Sequence, residues 1–445
     1  MKPYPPTPTI DQLLSRIPGD RLPRVLQAAA EYDDTEYLHW ERLRHRSPRE
    51  DGLSAEEQWL ALKLKRQSNR LVLPLLRTTA GNPLSVTRHA RLDEGFARMD
   101  RSLAGQLGFP EPVRNDATRD QYIASSLMEE AIHSSLFEGA VSTREVAKDM
   151  LRSGRAPSNR DERMILNNYR AMIRLREMAS QPLSLEAILE LHRILTDGTL
   201  KDPTRAGRLQ QPGEVRVNIV DDRLNRIIHV PPPAEQLPER MERLVRFANG
   251  DDVENGQYIH PVLRAILLHF QLAYDHPFHD GNGRTARALF YWSMLRRGYW
   301  LVEFFSISRL LYQRRAPYER AYLEVESDGQ DATYFVLQQL DVLHRSAEEL
   351  FAYVERKAAA QQRLRRRLSD RDDLNHRQLA LLDHALRKPG AEYSHDSHAS
   401  SHRVTHVTAR ADLRALVDRG FLRMARSGRR VVYRPIEGLE RMLDG

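Results

Sequence analysis

His276-Pro277-Phe278-His279-Asp280-Gly281-Asn282-Gly283-Arg284-Thr285-Ala286-Arg287 decides how this chain is read. An apolar helical run, Val262 to Tyr274, leads into it, and a second, Ala288 to Leu295, follows. Between them two glycines flank an asparagine, residue types that tolerate positive φ and hence a tight turn. A turn of that kind opening a helix aims several backbone N–H groups at one point, an anion nest reinforced by the helix N-terminus. Arg284 and Arg287, three apart, can both reach the mouth of the second helix. Asp280 is the carboxylate nearest the nest and suits a Mg²⁺ bridging phosphate oxygens. His276, at the end of the first helix, can take a proton from an incoming hydroxyl. The stretch reads as a polyphosphate cradle with a metal ligand and a base attached.

These residues resemble the signature of the Fic family, His-x-Phe-x-(Asp/Glu)-Gly-Asn-Gly-Arg-x-x-Arg, with every fixed position matched. Fic proteins typically transfer AMP from ATP to a Ser, Thr or Tyr hydroxyl of a target protein. The resemblance implies a mainly α chain, a Fic-type helical core with a β-hairpin flap. It makes His276 the general base and Asp280 the Mg²⁺ ligand. Asn282, Gly283 and Arg284 would hold the α- and β-phosphates, Gly281 and Thr285 belong to the same ATP-binding turn, and Arg287 would hold the γ-phosphate. Phe278 would pack into the core to fix the loop. One tension remains: a helix C-terminus and the nearby Asp280 both favour imidazolium at His276, not the neutral base. His279 is a second candidate, ranked lower because the family leaves that position variable.

The 445 residues suggest two or three domains, and 41% hydrophobic with 29% charged residues is ordinary for a chain able to bury a core. There is no cysteine, which excludes disulfides and thiolate chemistry. No signal-peptide core and no bilayer-length apolar stretch is evident, so a cytoplasmic protein without a membrane partner is expected. The net charge of +7 is unevenly placed. From Arg356 onward there are 20 Lys+Arg and 11 Asp+Glu, an excess of nine, which leaves the rest near −2. That excess points to a separate anionic partner for the C-terminal segment.

Taken in order, residues 1–105 read as helices with turns, Ile10 to Ala30 and Ala55 to Leu71 among them, with breakers at Gly52 and Gly81-Asn82-Pro83. The Fic region is expected over 106–355. Within it, about 120–139, a helix ends at Glu138-Gly139, with Ser134 and Glu138 on one face. Beside the signature, Ser134-Ser135-Leu136-Phe137-Glu138-Gly139 resembles the family's inhibitory motif, (Ser/Thr)-x-x-x-Glu-(Gly/Asn). That resemblance pairs Glu138 with Arg287 in the γ-phosphate position, where a carboxylate competes for the same guanidinium. Further on, the alternation of Val215, Val217 and Ile219, a turn at Asp221-Asp222 and Ile227-Ile228-His229-Val230 make a hairpin signature. The resemblance puts Arg226, Ile227, Ile228 and His229 on the edge of a flap that aligns the target segment by strand pairing. Tyr318 is the expected contact to the nucleotide base, although Pro317 stands where family members carry a second aromatic.

Residues 356–370 read as a basic linker, and 371–445 as three helices and a basic hairpin, the order of a winged helix. Thr408 to Leu413 resembles a recognition helix. Arg410 and Arg414 could face a groove, and Arg426, Arg429 and Arg430 could grip phosphates. DNA is one partner this allows, and a docking or dimerising protein surface is the other. A homodimer stays open on the family resemblance. His395, His398, His402 and His406 recur at three and four residues, but the Ser, Asp and Thr around them argue for a turn partway through, and no carboxylate pair supports a metal. The reading is a self-inhibited protein adenylyltransferase using ATP and Mg²⁺ on a protein hydroxyl. The alternatives are an ATP-sensing DNA-binding regulator, or related Fic chemistry such as phosphate transfer or removal of AMP.

Overall fold

Small polar residues open many of the helices. Ser54, Thr143, Asn159, Ser184 and Thr405 each accept the backbone N–H three residues on, satisfying a donor the helix itself leaves without a partner. The computed structural model describes residues 4–32, 34–46, 52–104, 116–221, 226–250, 258–369, 373–388, 390–402, 404–427, 430–439 and 442. The chain divides into two compact units, Met1–Phe109 with Val113–Leu350, and Pro110–Pro112 with Phe351–Gly445.

In the first unit α1 (Ile10–Arg16), α2 (Leu22–Glu31), α3 (Trp40–Leu43) and α4 (Ala55–Ser68) lead to an antiparallel hairpin, β1 (Arg70–Arg77) and β2 (Pro83–Thr87), and then α5 (Ala90–Leu103). The hairpin corrects the all-helical reading of residues 1–105. Leu71 to Leu76 is a continuous apolar run containing Pro74, with no alternation to mark a strand. The proline is tolerated because the register shifts between Leu73 and Arg77, and a bulge needs no ladder donor there. The hairpin is completed by tertiary contacts, Ser85 N donating to Gln330 O and Ala332 N to Ser85 O. Thr7 N donates to Ser327 O at 2.8 Å, and Arg66 makes a buried ion pair with Asp34 at 2.7 Å. The N-terminal segment thus builds into the same unit as the central helices.

The rest of that unit runs α6 (Asp116–Phe137), α7 (Arg144–Ser153), α8 (Arg160–Met178), α9 (Leu185–Thr196), the hairpin β3 (Ile219–Asp221) and β4 (Arg226–His229), α10 (Leu237–Asn249), α11 (Pro261–Asp275), α12 (Asn282–Arg296), α13 (Ile307–Gln313) and α14 (Arg315–Ser327). Helices α11 and α12 are buried on nearly every side, α11 as expected of a largely apolar helix and α12 with Asn282, Arg284, Thr285 and Arg287 among its buried residues. They form the centre, and the signature loop joins them. Helix α15 (Thr333–Ser369) carries the chain into the second unit.

There α16 (His376–Arg387), α17 (His395–His402) and α18 (His406–Asp418) pack with an antiparallel hairpin, β5 (Leu422–Ser427) and β6 (Arg430–Pro435), around Leu381, Leu382, Leu413, Leu416 and Tyr433. His398 pairs with the buried Asp412 at 3.2 Å and His395 with the Tyr433 hydroxyl at 2.8 Å, so two of the four histidines tie the unit together. Among the described residues no group of three or more His, Asp or Glu could hold a metal ion, and no helix is long and apolar enough to cross a membrane.

Candidate active site

Helix α11 stops at His276, whose φ of 47° and ψ of 54° are left-handed. A non-glycine residue in that region costs of order 1–3 kcal/mol and persists only where its surroundings over-determine it. The surroundings are visible. His276 N donates to Leu272 O at 3.0 Å. The Arg216 guanidinium donates to Asp275 O at 2.8 Å, to His276 O at 3.2 Å and to Pro232 O at 2.8 Å. Arg216 is therefore a cationic cap on the α11 C-terminus that also holds the base of the flap. Nothing in the sequence singled it out. Asp275, fully buried, pairs with Arg240 at 2.6 Å.

The left-handed turn puts His276 on the wall of a cavity of about 530 Å³. Its Nδ1 lies 3.4 Å from Ala273 O. A carbonyl only accepts, so this contact places the proton on Nδ1 and leaves the Nε2 lone pair available. Burial pulls the imidazole down to about 4, against the opposing effects of the Ala273 carbonyl and Glu138. The helix dipole, expected to favour imidazolium, loses to desolvation.

The loop after it is braced from several sides. The Asn282 side chain accepts from Phe278 N at 2.9 Å and donates to Phe278 O at 2.8 Å. Phe278 stacks at 3.8 Å on His192, whose Nε2 contacts Asp280 O at 2.9 Å and whose Nδ1 accepts from Gly207 N at 2.9 Å. Gly281 takes φ 83°, and α12 starts at Asn282. The Thr285 hydroxyl donates back to Gly281 O at 2.8 Å. Arg284 is buried, donating to Leu195 O at 2.9 Å and to Asp280 at 3.2 Å. Several expected phosphate ligands thus have their side chains engaged in holding the loop; what remains for an anion is the backbone at the helix mouth, whose first N–H groups have no intrahelical partner.

Two arginines, Arg287 and Arg315, line the cavity, and Arg287 is the buried one. Its Nε donates to Ser134 Oγ at 3.0 Å, and its Nη2 to Ser134 O at 3.1 Å and Glu138 Oε1 at 3.0 Å. Its Nη1 is buried with no hydrogen-bond partner. A Cβ added at Gly283 would collide with Glu138 Oε1, so the carboxylate lies against the first turn of α12. Gly139, at φ 90°, turns the chain away beyond it.

Tyr318 and Tyr322 form the opposite wall, with their hydroxyls 3.3 Å apart and Tyr318 bonded to the buried His269 at 3.1 Å. Burial raises the Tyr318 hydroxyl to about 12. Tyr322 lies one helical turn on from Tyr318 and lines the same cavity, a spacing the sequence carried unread. The flap closes another side. Its register shifts after Ile219, so Ile228 is an extra residue in β4. The bulge lets Ile228 and His229 both line the cavity, where an ordinary strand would point one of them away. The His229 ring is turned inward between Tyr274 O, at 2.8 Å, and Glu326. Ile227 is half exposed.

His276, Gly283, Arg287, Glu138, Tyr318, Ile228 and His229 therefore share one cavity. His279 lies outside it, its ring nitrogens bonded to Arg205 at 3.0 Å and Glu214 at 3.1 Å. The Asp280 carboxylate is partly exposed, with Oδ1 on Gly281 N and Arg284 and Oδ2 approached by Arg160 at 3.6 Å. Among the described residues Oδ2 accepts no hydrogen bond, and a half-exposed carboxylate oxygen beside the mouth of α12 fits Mg²⁺, which commonly takes one or two carboxylates and completes its shell with phosphate and water. The side chain of Arg226, the Asp222 turn and Arg429 lie outside the described residues, as does the side chain of Arg430.

Residues 182–294 match the family model described as Fic/DOC family. The chain carries a Fic domain. It is 34% identical over 120 residues to "Protein adenylyltransferase Fic" of Nematostella vectensis, 27% of this chain and 25% of that protein, and 36% identical over 117 residues to the protein of that name in Drosophila yakuba, 26% and 21%. The chain thus aligns with about a quarter of the length of these curated relatives. A crystal structure of a Fic family protein from Desulfovibrio desulfuricans G20 superposes with a TM-score of 0.51 over 79% of this chain and 97% of that one, at 20% identity, which shows the shared fold.

Proposed function

We propose that this chain is a self-inhibited protein adenylyltransferase that moves AMP from ATP to a hydroxyl of a target protein. One observation carries the reading. Glu138 occupies Arg287 and the mouth of α12 at 3.0 Å, while Arg287 keeps a buried donor without a partner. A buried guanidinium with an unmatched donor facing an anion nest is built for a phosphate, and the carboxylate stands where that phosphate would bind. When Glu138 yields, His276 Nε2 takes the proton of the incoming hydroxyl. The hydroxyl oxygen then bonds to the α-phosphorus, the bond to the β-phosphate bridging oxygen breaks, and diphosphate leaves. Asp280 would hold Mg²⁺, which supplies charge neutralisation for the departing diphosphate. Arg287 and the backbone of the first turn of α12 hold the phosphates, and Tyr318 with Tyr322 walls the base.

Glu138→Gly given ATP and Mg²⁺ should self-label with α-labelled and not γ-labelled nucleotide, well above wild type, and His276→Ala in that background should abolish the label. Labelling from the γ position would replace AMP transfer by phosphate transfer; no label at all would remove the reading.

For the second unit we propose a DNA-binding role. Arg410 and Arg414 are exposed, one turn apart on α18, and neither is in an ion pair among the described residues. Fluorescence anisotropy on duplex DNA should show affinity falling steeply with salt, and Arg410→Ala with Arg414→Ala should lower the log–log slope by about 2. A salt-independent result would favour a protein partner.

A further inference from the structure

We propose that Glu130 is a positioning residue of the self-inhibited state, a lock one turn upstream of the motif that fixes α6 and so sets how tightly Glu138 is held on Arg287. This rests on the inhibitory reading of Glu138.

Glu130, Ser134 and Glu138 are four apart on α6 and share a face. Arg287 and Tyr291 are four apart on α12 and face them. Two rungs join the helices. The first is Arg287 to Ser134 and Glu138. The second is Tyr291, whose hydroxyl donates to Glu130 Oε2 at 2.9 Å. Glu130 does more than meet Tyr291. Its Oε2 also accepts from Ser306 Oγ at 2.7 Å and Ser308 N at 3.1 Å, and its Oε1 accepts from Ser308 Oγ. One carboxylate therefore ties α6 to α12 and to the start of α13. It is 2% exposed, and among the described residues no Lys or Arg pairs with it. Its charge is held by hydroxyl and amide donors alone, an arrangement that tolerates little displacement because any donor lost leaves buried charge unmatched.

The two rungs differ in one respect that matters. Glu138 lines the cavity and must yield to a triphosphate; Glu130 does not line it. Nucleotide can break the first rung and leave the second intact. The second rung then keeps α6 docked, so that Glu138 returns when the nucleotide leaves. Weakening it should loosen Glu138 without touching a group that meets ATP.

The test compares Glu130→Gln and Tyr291→Phe, each alone and combined with Glu138→Gly, by self-labelling with α-labelled ATP and Mg²⁺ in the full chain. Each single variant should label about ten- to a hundredfold faster than wild type, the range set by hydrogen bonds to a charged group. In the Glu138→Gly background neither should add more than about twofold, because the carboxylate being positioned is gone. A lesion that merely destabilises the core would instead lower labelling in both backgrounds, and that outcome overturns the proposal. So does wild-type labelling by both single variants beside a strongly labelling Glu138→Gly protein. If Glu130→Gln does not fold, Tyr291→Phe decides. Failure of Glu138→Gly itself to label removes the inhibitory reading rather than the lock alone.

Discussion

At His276 two effects oppose each other, and their sizes decide. A helix C-terminus favours a cation by roughly 0.3–1 kcal/mol at exposed sites, whereas burial lowers this ring to about 4 from 6.5, more than two pH units at about 1.4 kcal/mol each. Desolvation wins, so the base is already neutral at physiological pH. In Glu138→Gly, where the carboxylate that raised the value is gone, labelling rate should be flat from pH 8 down to pH 6. An imidazole of ordinary pKa would have lost about three-quarters of its neutral form at pH 6. A rate that halves near pH 6.5, measured in matched ionic strength, would contradict this. Asn282, Arg284 and Thr285 carry the complementary lesson. Their residue types suit phosphate binding, yet their side chains are engaged in bracing the loop.

Among the elements, the flap shows how one extra residue changes what a strand presents. The bulge at Ile228 turns Ile228 and His229 to the cavity and leaves Ile227 half exposed on the outer edge. Ile227→Asp should therefore leave self-labelling of Glu138→Gly within about twofold. It should weaken labelling of other proteins in a lysate about fivefold or more, the equivalent of roughly 1 kcal/mol of docking energy. Equal loss in both assays would mean that the strand only shapes the cavity. The N-terminal hairpin makes a related point. Arg240 and Gln271, which hold the buried Asp275, also donate to backbone carbonyls at Arg77 and Thr78, so this hairpin supports the α11 terminus from behind.

For the whole molecule, burial of neutral imidazoles sets an acid limit. His39, His192 and His276 are each lowered by burial to about 4, and His269 to about 3. Each binds a proton more readily unfolded, at about 6.5, than folded. Stability from these rings is therefore complete above about pH 6.5 and lost as pH falls from there toward 4, on the order of 1–2 kcal/mol for each ring by pH 5. Urea midpoints of the full chain should fall steeply between pH 7 and pH 5. His269→Phe, lacking one titrating ring, should fall less steeply. A midpoint constant across that window would show that the rings titrate normally in the fold.

The sequence alone determined the helical centre and the glycine-bearing turn that opens α12, because each depends on local periodicity or on glycine's tolerance of positive φ; the pairing of Glu138 with Arg287 was implied by the family resemblance, and the fold brings the two together across 149 residues. Ser54, Asn159 and Ser184 mark their helix starts without help from elsewhere. Other features arise only when distant segments meet. Arg216 capping α11, His192 beneath Phe278, and Glu130 gathering donors from α12 and the start of α13 are of this kind. The physical reason is range. Backbone preference and side-chain spacing act over a few residues, whereas desolvation and hydrogen-bond satisfaction in a buried site are fixed by whatever the fold brings within about 3 Å.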